Sequence, residues 1–173
     1  MNEALESLYT RRSIRKYKPE QISDEELEQV IRAGVCAPTA MNLQSPIIVA
    51  VQNKEEIAYM SKLNADVWGY NGDPFYGAPT VLVVLADANN KNAVKDGSLV
   101  MGNLMNAAES LGIANIWIHR AKEEIASEFG QKLLADLGIS GNYEGIGHCA
   151  LGYAISPANA PAPRKDNYVY FVE

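Results

Sequence analysis

The sequence predicts an α+β fold of the α/β-sandwich kind, with helices packed on a central sheet. Three observations carry this. Apolar runs of strand length recur at 47–51, 80–85, 113–118 and 146–153. Between them the apolar residues recur at helical spacing, so strands and helices interleave along the chain. The 173 residues, 47% of them hydrophobic, amount to about one domain at roughly 150 residues each. No linker divides them, so 1–173 reads as a single domain.

Residues 2–10 place Leu5, Leu8 and Tyr9 on one helical face and lead into a basic cluster. Ser23 opens a second helix. Ser23 and Glu26 stand at capping-box spacing, and Ile22 can staple to Leu27 across the cap. Asp24 and Glu25 put negative charge at the positive end of the helix dipole. Leu27, Val30, Ile31 and Val35 form the buried stripe, and Pro38 ends the helix by biasing Ala37 out of the α region. The β-branched run 47–51 is a buried strand. Asn53 with Glu56 repeats the cap pattern and starts a helix to about residue 63. Residues 64–79 form an aromatic loop carrying Trp68, Tyr70, Phe75 and Tyr76, either a satellite core or a lid over a pocket.

Residues 80–85 are the central strand. The longest helix spans 93–111, stopped by Gly112. It is apolar on most sides, which buries it centrally or against a second subunit. A strand at 113–118, a helix at 122–137 with a break at Gly130, and a glycine-containing strand at 146–153 follow. The Pro-rich stretch 157–163 is an extended linker. Residues 167–172 then alternate into a final strand, an arm that leaves its own body.

With 15 Lys+Arg against 21 Asp+Glu and a net charge of −6, a general nucleic-acid or membrane-surface binder is excluded, because both need a broad positive field. No apolar segment precedes a small-residue cleavage site near the N-terminus, and no apolar run approaches the ~20 residues of a membrane span. Cys36 and Cys149 lack metal or redox spacing, and each reads as a buried small hydrophobe. A cytoplasmic location is expected.

Several chemistries have no motif. There is no G-x-G-x-x-G after a strand, no P-loop and no G-x-S-x-G elbow. His119 and His148 are the only histidines and belong to no Cys/His set, so no metal site is expected. His148 reads as a hydrogen-bonded core histidine. His119, at the C-terminal end of a strand, is better placed to face a ligand.

Five of the fifteen cations, Arg11, Arg12, Arg15, Lys16 and Lys18, lie within residues 11–18. In an extended segment Arg11, Ser13 and Arg15 point to one side, a three-pronged grip for an anion. A solvated charge run is the alternative. Arg164 and Lys165 form a second basic pair. The segment 37–46, with Thr39, Met41, Asn42 and Gln44, is rich in amides that donate and accept, and suits the edge of a planar heterocycle. An ordinary helix-to-strand connection is the alternative.

R-R-S-I-R-K-Y followed about 20 residues later by A-P-T-A-M-N-L-Q resembles the nitroreductase family of flavin enzymes. Y-G-A-P-T-V-L-V-V-L-A-D, then D-G-S-L-V-M-G-N-L-M-N-A-A-E-S-L-G-I, and G-Y-A followed by P-A-P-R-K continue the resemblance over nearly the whole chain. It implies a mixed, mainly antiparallel sheet flanked by helices, with the C-terminal strand extending to the partner subunit of a homodimer. It also implies FMN at the interface. Arg11, Arg12, Ser13 and Arg15 would hold the flavin and its phosphate, joined by Arg164 and Lys165. Thr39, Met41, Asn42 and Gln44 would reach the flavin, with the 39–42 loop coming from the other subunit. Ile118 and His119 would line the ring, and Trp68, Tyr70, Phe75 and Tyr76 would cover the substrate.

No catalytic side chain is required, because the chemistry resides at flavin N5; Arg15 would stabilise the negative charge of the reduced flavin. The implied activity passes hydride from NAD(P)H through FMN to a nitroaromatic, quinone or similar small-molecule acceptor by an alternating (ping-pong) mechanism. A same-fold enzyme of dehalogenation or flavin fragmentation, and a non-catalytic flavin-binding or sensing protein, are the other readings. One departure stands out. Many family members carry Trp after Gln-Pro, whereas this chain runs Gln44, Ser45, Pro46, Ile47, a less bulky strand entrance.

Overall fold

Strands β1 (Pro46–Val51), β2 (Thr80–Asp87), β4 (Tyr143–Gly152) and β3 (Ala114–Ile118) lie side by side in that order in one sheet. The structure, a computed structural model, describes residues 2–173. All three ladders are antiparallel, and the parallel element is an isolated bridge, Ser13 to Asn115. The helices are α1 (Glu3–Thr10), α2 (Asp24–Val35), α3 (Lys54–Trp68), α4 (Ala93–Ser110), α5 (Ala121–Ala126) and α6 (Glu128–Asp136).

Alternation along the strands builds two cores. Leu82, Val84, Cys149 and Leu151 face α2 and α4, and pack with Val30, Val100, Met101, Leu104 and Ala108. Val81, Val83, Leu85, Ile116, Ile118 and Ala150 face the other way, onto Ile57 and Met60 of α3, Ile125 of α5 and Leu134 of α6. Buried on both faces, β2 reads as a continuous apolar run for that reason.

The cap at Ser23 forms as expected. Its hydroxyl accepts from the Glu26 N–H, and the Glu26 carboxylate accepts from the Ser23 N–H at 2.8 Å. Ile22 and Leu27 join the same core. Helix α3 extends beyond the expected residue 63, because Met60, Ser61, Asn64 and Ala65 continue its buried stripe. It ends where Gly69 takes the left-handed conformation (φ 70°). Trp68 is therefore the last helical residue and not part of a loop.

The helix expected at 122–137 does break, but at Ser127 and not at Gly130. Extended Ser127 closes α5 and caps α6, its hydroxyl accepting from the Gly130 N–H. Gly130 makes the tight turn possible, since a Cβ there would stand 2.4 Å from the Ile125 backbone.

Two expectations are corrected. Residues 167–172 form no strand, because nothing in the chain lies beside them to take their backbone hydrogen bonds. Val169, Tyr170, Phe171 and Val172 are exposed. Cys36 is also exposed, because it falls on the C-cap of α2, outside the buried stripe; Cys149 is buried as expected. Among the described residues no helix is long and apolar enough to cross a membrane.

Candidate functional site

The basic segment runs along the outer edge of β3 and across the end of β4. The Ile14 N–H donates to the Asn115 carbonyl, and the Lys18 N–H to that of Tyr153. Tyr17 pins the segment. Its ring is buried, and its hydroxyl donates to the Ile14 carbonyl at 3.0 Å. Burial pushes its phenol well above the ordinary range, with the nearby Arg15 charge acting the other way. Ile14 turns into the core, so Ser13 and Arg15 face out, as a period of two requires. The Arg15 guanidinium stands 5.9 Å from the Tyr76 ring.

Arg11 and Arg12 are half-buried. Arg12 donates one Nη to the Arg11 carbonyl. Arg11 Nη1 and Arg12 Nε and Nη2 are buried with no partner. Below them Cys149 has its thiol pushed up to about 12 by burial, with Arg11 acting in the opposite direction.

The 39–44 loop sits at the start of β1. Met41, Asn42 and Gln44 all adopt left-handed backbone (φ 52°, 54° and 50°), each costing on the order of 1–3 kcal/mol. Thr39 Oγ1 accepts from the Gln44 N–H, and the Gln44 side chain donates to Asn42 Oδ1. The buried Asp96 of α4 accepts from the Ala40 N–H at 3.0 Å. Met41 is nevertheless 80% exposed and Leu43 53%, so the loop holds a strained shape with its apolar side chains in solvent.

At the exit of β3 the Ile118 side chain is buried in the core, whereas His119 is exposed. Arg120 follows in the left-handed region (φ 73°). Fully buried Asn64 clamps this turn: its Nδ2 donates to the His119 carbonyl at 2.7 Å, and its Oδ1 accepts from Arg120 Nε at 2.9 Å. The Arg120 guanidinium lies 4.5 Å over the Trp68 ring, and Trp68 packs on Tyr70 at 4.5 Å.

Phe75 is a correction to the proposed substrate cover. Asp73 folds the 73–77 turn by accepting from the Phe75 and Gly77 N–H groups, and Phe75 is carried to full burial against His148. That histidine is not hydrogen-bonded as expected. It approaches Glu124 to 3.2 Å, too far off line for a hydrogen bond, and its Nδ1 has no partner. Phe75 also floors a cavity of about 600 Å³ with Pro19, Gln21, Ser61 and Pro79. There Gln21, Ser61 and Asp73 are already bonded to the protein, and the cavity begins at Pro19, just past the basic segment.

Sheet register separates the expected ligand residues. Asn115, beside Ser13, is level with Leu151 and Thr80, and so with the end of β1. The 39–44 loop enters the start of β1, on the opposite edge of the sheet. Ser13 and the loop are roughly 20 Å apart along the strands and about 19 Å across them. Arg164 and Lys165 are exposed on a tail which, among the described residues, has no hydrogen bond to the body after that of Ile155 to Lys16.

Asp96, Asn64, Tyr17 and Arg120 were not singled out by the sequence. Asn64, at i+4 from Met60, and Asp96, in an otherwise apolar helix, carried the available signal: a polar residue on a buried stripe.

The nitroreductase family profile matches residues 8–72 and 64–153. The chain belongs to the nitroreductase family. A relative from Archaeoglobus fulgidus, which carries the provisional name NADH dehydrogenase/NAD(P)H nitroreductase, is 32% identical over 173 residues, covering 97% of this chain and 91% of its own. The fold is similar to that of a Bacteroides fragilis nitroreductase with bound FMN, at a TM-score of 0.90 and 27% identity with both chains fully covered. A Desulfitobacterium hafniense nitroreductase with bound FMN superposes at a TM-score of 0.88 and 29% identity, again over both whole chains. The nitroreductase fold thus accounts for the helix-flanked antiparallel sheet.

Proposed function

We propose that this nitroreductase-family protein is an FMN-dependent oxidoreductase that takes reducing equivalents from NAD(P)H and delivers them to a nitroaromatic, quinone or similar acceptor, working as a homodimer. The observation that carries the reading is the set of buried, unpartnered guanidinium nitrogens on Arg11 and Arg12. Buried donors of this kind are costly unless an anion takes them, and a phosphate fits that need. The FMN-bound relatives supply the cofactor's identity.

Bound FMN supplies two-electron chemistry at its ring, so the chain needs no nucleophile or triad. Arg11, Arg12 and Ser13 hold the phosphate end. Past the Ser13 bridge the outer edge of β3 has no strand beside it, leaving backbone donors and acceptors at 116–119 for a planar ring with polar edges. Arg15, exposed beside Tyr76, would supply a positive charge to stabilise the negative charge of a reduced flavin. Asn42 and Gln44 lie far from the basic segment of their own protomer, which supports their reaching the flavin of the partner. The unpaired C-terminal segment, with Arg164 and Lys165, supports an arm laid on the second copy. A single site of this kind would serve reductant and acceptor in alternation.

The test begins with colour. Purified protein should take up FMN with a yellow absorbance, and anaerobic NADH or NADPH should bleach it. Nitroaromatic or quinone should then restore the colour. Replacing both Arg11 and Arg12 by Ala should weaken FMN retention by about tenfold or more, as lost charge-assisted hydrogen bonds predict. A protein that stays colourless in excess FMN would sink the reading.

A further inference from the structure

We propose that Arg120 is the anion-recognition residue on the substrate side of the site, taking a phosphate or carboxylate carried by the reductant or by the acceptor. This rests on the flavin reading above, and adds a substrate chemistry to it.

The first reason is where Arg120 stands. It begins the turn directly after His119 at the exit of β3, and its left-handed φ of 73° is unfavourable for a residue with a Cβ. Glycine would take that conformation without strain. An arginine is kept there by contacts that fix its side chain: Nε donates to buried Asn64, and the guanidinium stacks on Trp68. Asn64 holds the His119 carbonyl at the same time, so backbone turn and guanidinium are set by one buried amide.

The second reason is what remains unused. Among the described residues Arg120 has no carboxylate partner and no hydrogen bond from either Nη. The neighbouring cation is neutralised, because Lys122 pairs with Glu144 at 2.8 Å. Arg120 and His119 border a cavity of about 300 Å³ whose walls also carry the Lys122–Glu144 pair and Glu123, besides Val94, Gly145 and Ile146. A fork of free N–H donors, held rigid and backed by an aromatic ring beside an open cavity, is suited to bind an oxyanion with little ordering cost.

Two ligands present this chemistry: the 2′-phosphate that distinguishes NADPH from NADH, and a carboxylate on an acceptor. The experiment uses FMN-loaded dimer with Arg120→Gln, Arg120→Lys and Arg120→Gly. Steady-state KM and kcat are measured for NADPH and NADH, and for 4-nitrobenzoate and uncharged nitrobenzene. Binding of 2′,5′-ADP is followed by calorimetry.

Arg120→Gln should raise KM for the anionic member of one pair by about tenfold, as expected for a charge-assisted hydrogen bond. The KM of the member lacking that group, NADH or nitrobenzene, and kcat should move less than twofold. Arg120→Lys should recover part of the loss. An effect confined to NADPH, with matching loss of 2′,5′-ADP binding, assigns the site to the reductant. One confined to 4-nitrobenzoate assigns it to the acceptor. Arg120→Gly relieves the backbone strain, so a well-folded variant that loses the same preference separates recognition from folding.

The proposal is overturned if the members with and without the 2′-phosphate or carboxylate respond equally within each pair, or if no variant changes any of them. A protein that binds no FMN instead overturns the flavin reading, whatever the calorimetry gives.

Discussion

Arg12 uses one guanidinium nitrogen on the Arg11 carbonyl and keeps two buried and unpaired. Stability alone would not select that arrangement, since an unsatisfied buried donor costs about 1–3 kcal/mol, and more when charged. Arg12→Ala should therefore leave the FMN-free protein at least as stable, while its melting temperature rises less on adding FMN than that of the parent. A large loss of stability without FMN would show that Arg12 is structural. Cys149 makes the contrasting case. Full burial raises its thiol to about 12, so almost none is thiolate near neutrality, and the thiolate is the reactive form. Alkylation of the native protein should spare Cys149 and modify it only after unfolding; labelling at the native rate of a free thiol would contradict its burial.

Helix α2 owes its start to a cap that titrates. The Tyr153 hydroxyl, with the backbone and side chain of Ser23, holds the Glu26 carboxyl below the ordinary carboxylate range. The folded group thus binds its proton more weakly than the unfolded one. Its contribution is complete above the unfolded value of about 4.3 and is lost as pH falls through the lower folded value. Glu26→Gln should lower the melting temperature at pH 7 and lose that difference under acid, and Ser23→Ala should cost about 1 kcal/mol. An equal shift for Glu26→Gln at pH 7 and in strong acid would sever the cap from ionisation. The 39–44 loop stands at the same scale. Three left-handed residues are held by Thr39 and by Asp96 from another element. Asp96→Ala should loosen the loop, seen as faster amide exchange at 40–44, and weaken FMN retention while the sheet keeps its protection. Unchanged exchange there would mean that Asp96 is not its anchor.

At the scale of the whole molecule, the proposed homodimer rests on how one protomer is laid out. Its basic segment and its amide loop lie at opposite ends and opposite edges of one sheet. Its last eighteen residues carry Val169, Tyr170, Phe171 and Val172 into solvent, an apolar run that a free protomer has no way to bury. A chain truncated after Ile155 should sediment as a monomer and lose FMN affinity, although both cores are intact. A truncated chain that remains dimeric with full affinity would remove the tail from the assembly.

Sequence by itself determined the elements whose signals are local. The Ser23 cap, the β2 run and the α4 periodicity depend on neighbours within a few residues, and each formed as read. The outward turn of Ser13 and Arg15 was also legible, because Ile14 turns to the core, whereas Arg11 is half-buried together with Arg12. Tertiary structure decided what depends on distant partners. Asn64 fell in the expected 64–79 loop and Asp96 carried no motif; the fold placed a carbonyl beside one and an amide N–H beside the other. Phe75 could not be told from its aromatic neighbours, because the Asp73 turn selects which ring is buried. The 167–172 segment has the alternation of a strand, yet a strand needs a neighbour to take its hydrogen bonds, and one copy of this chain provides none.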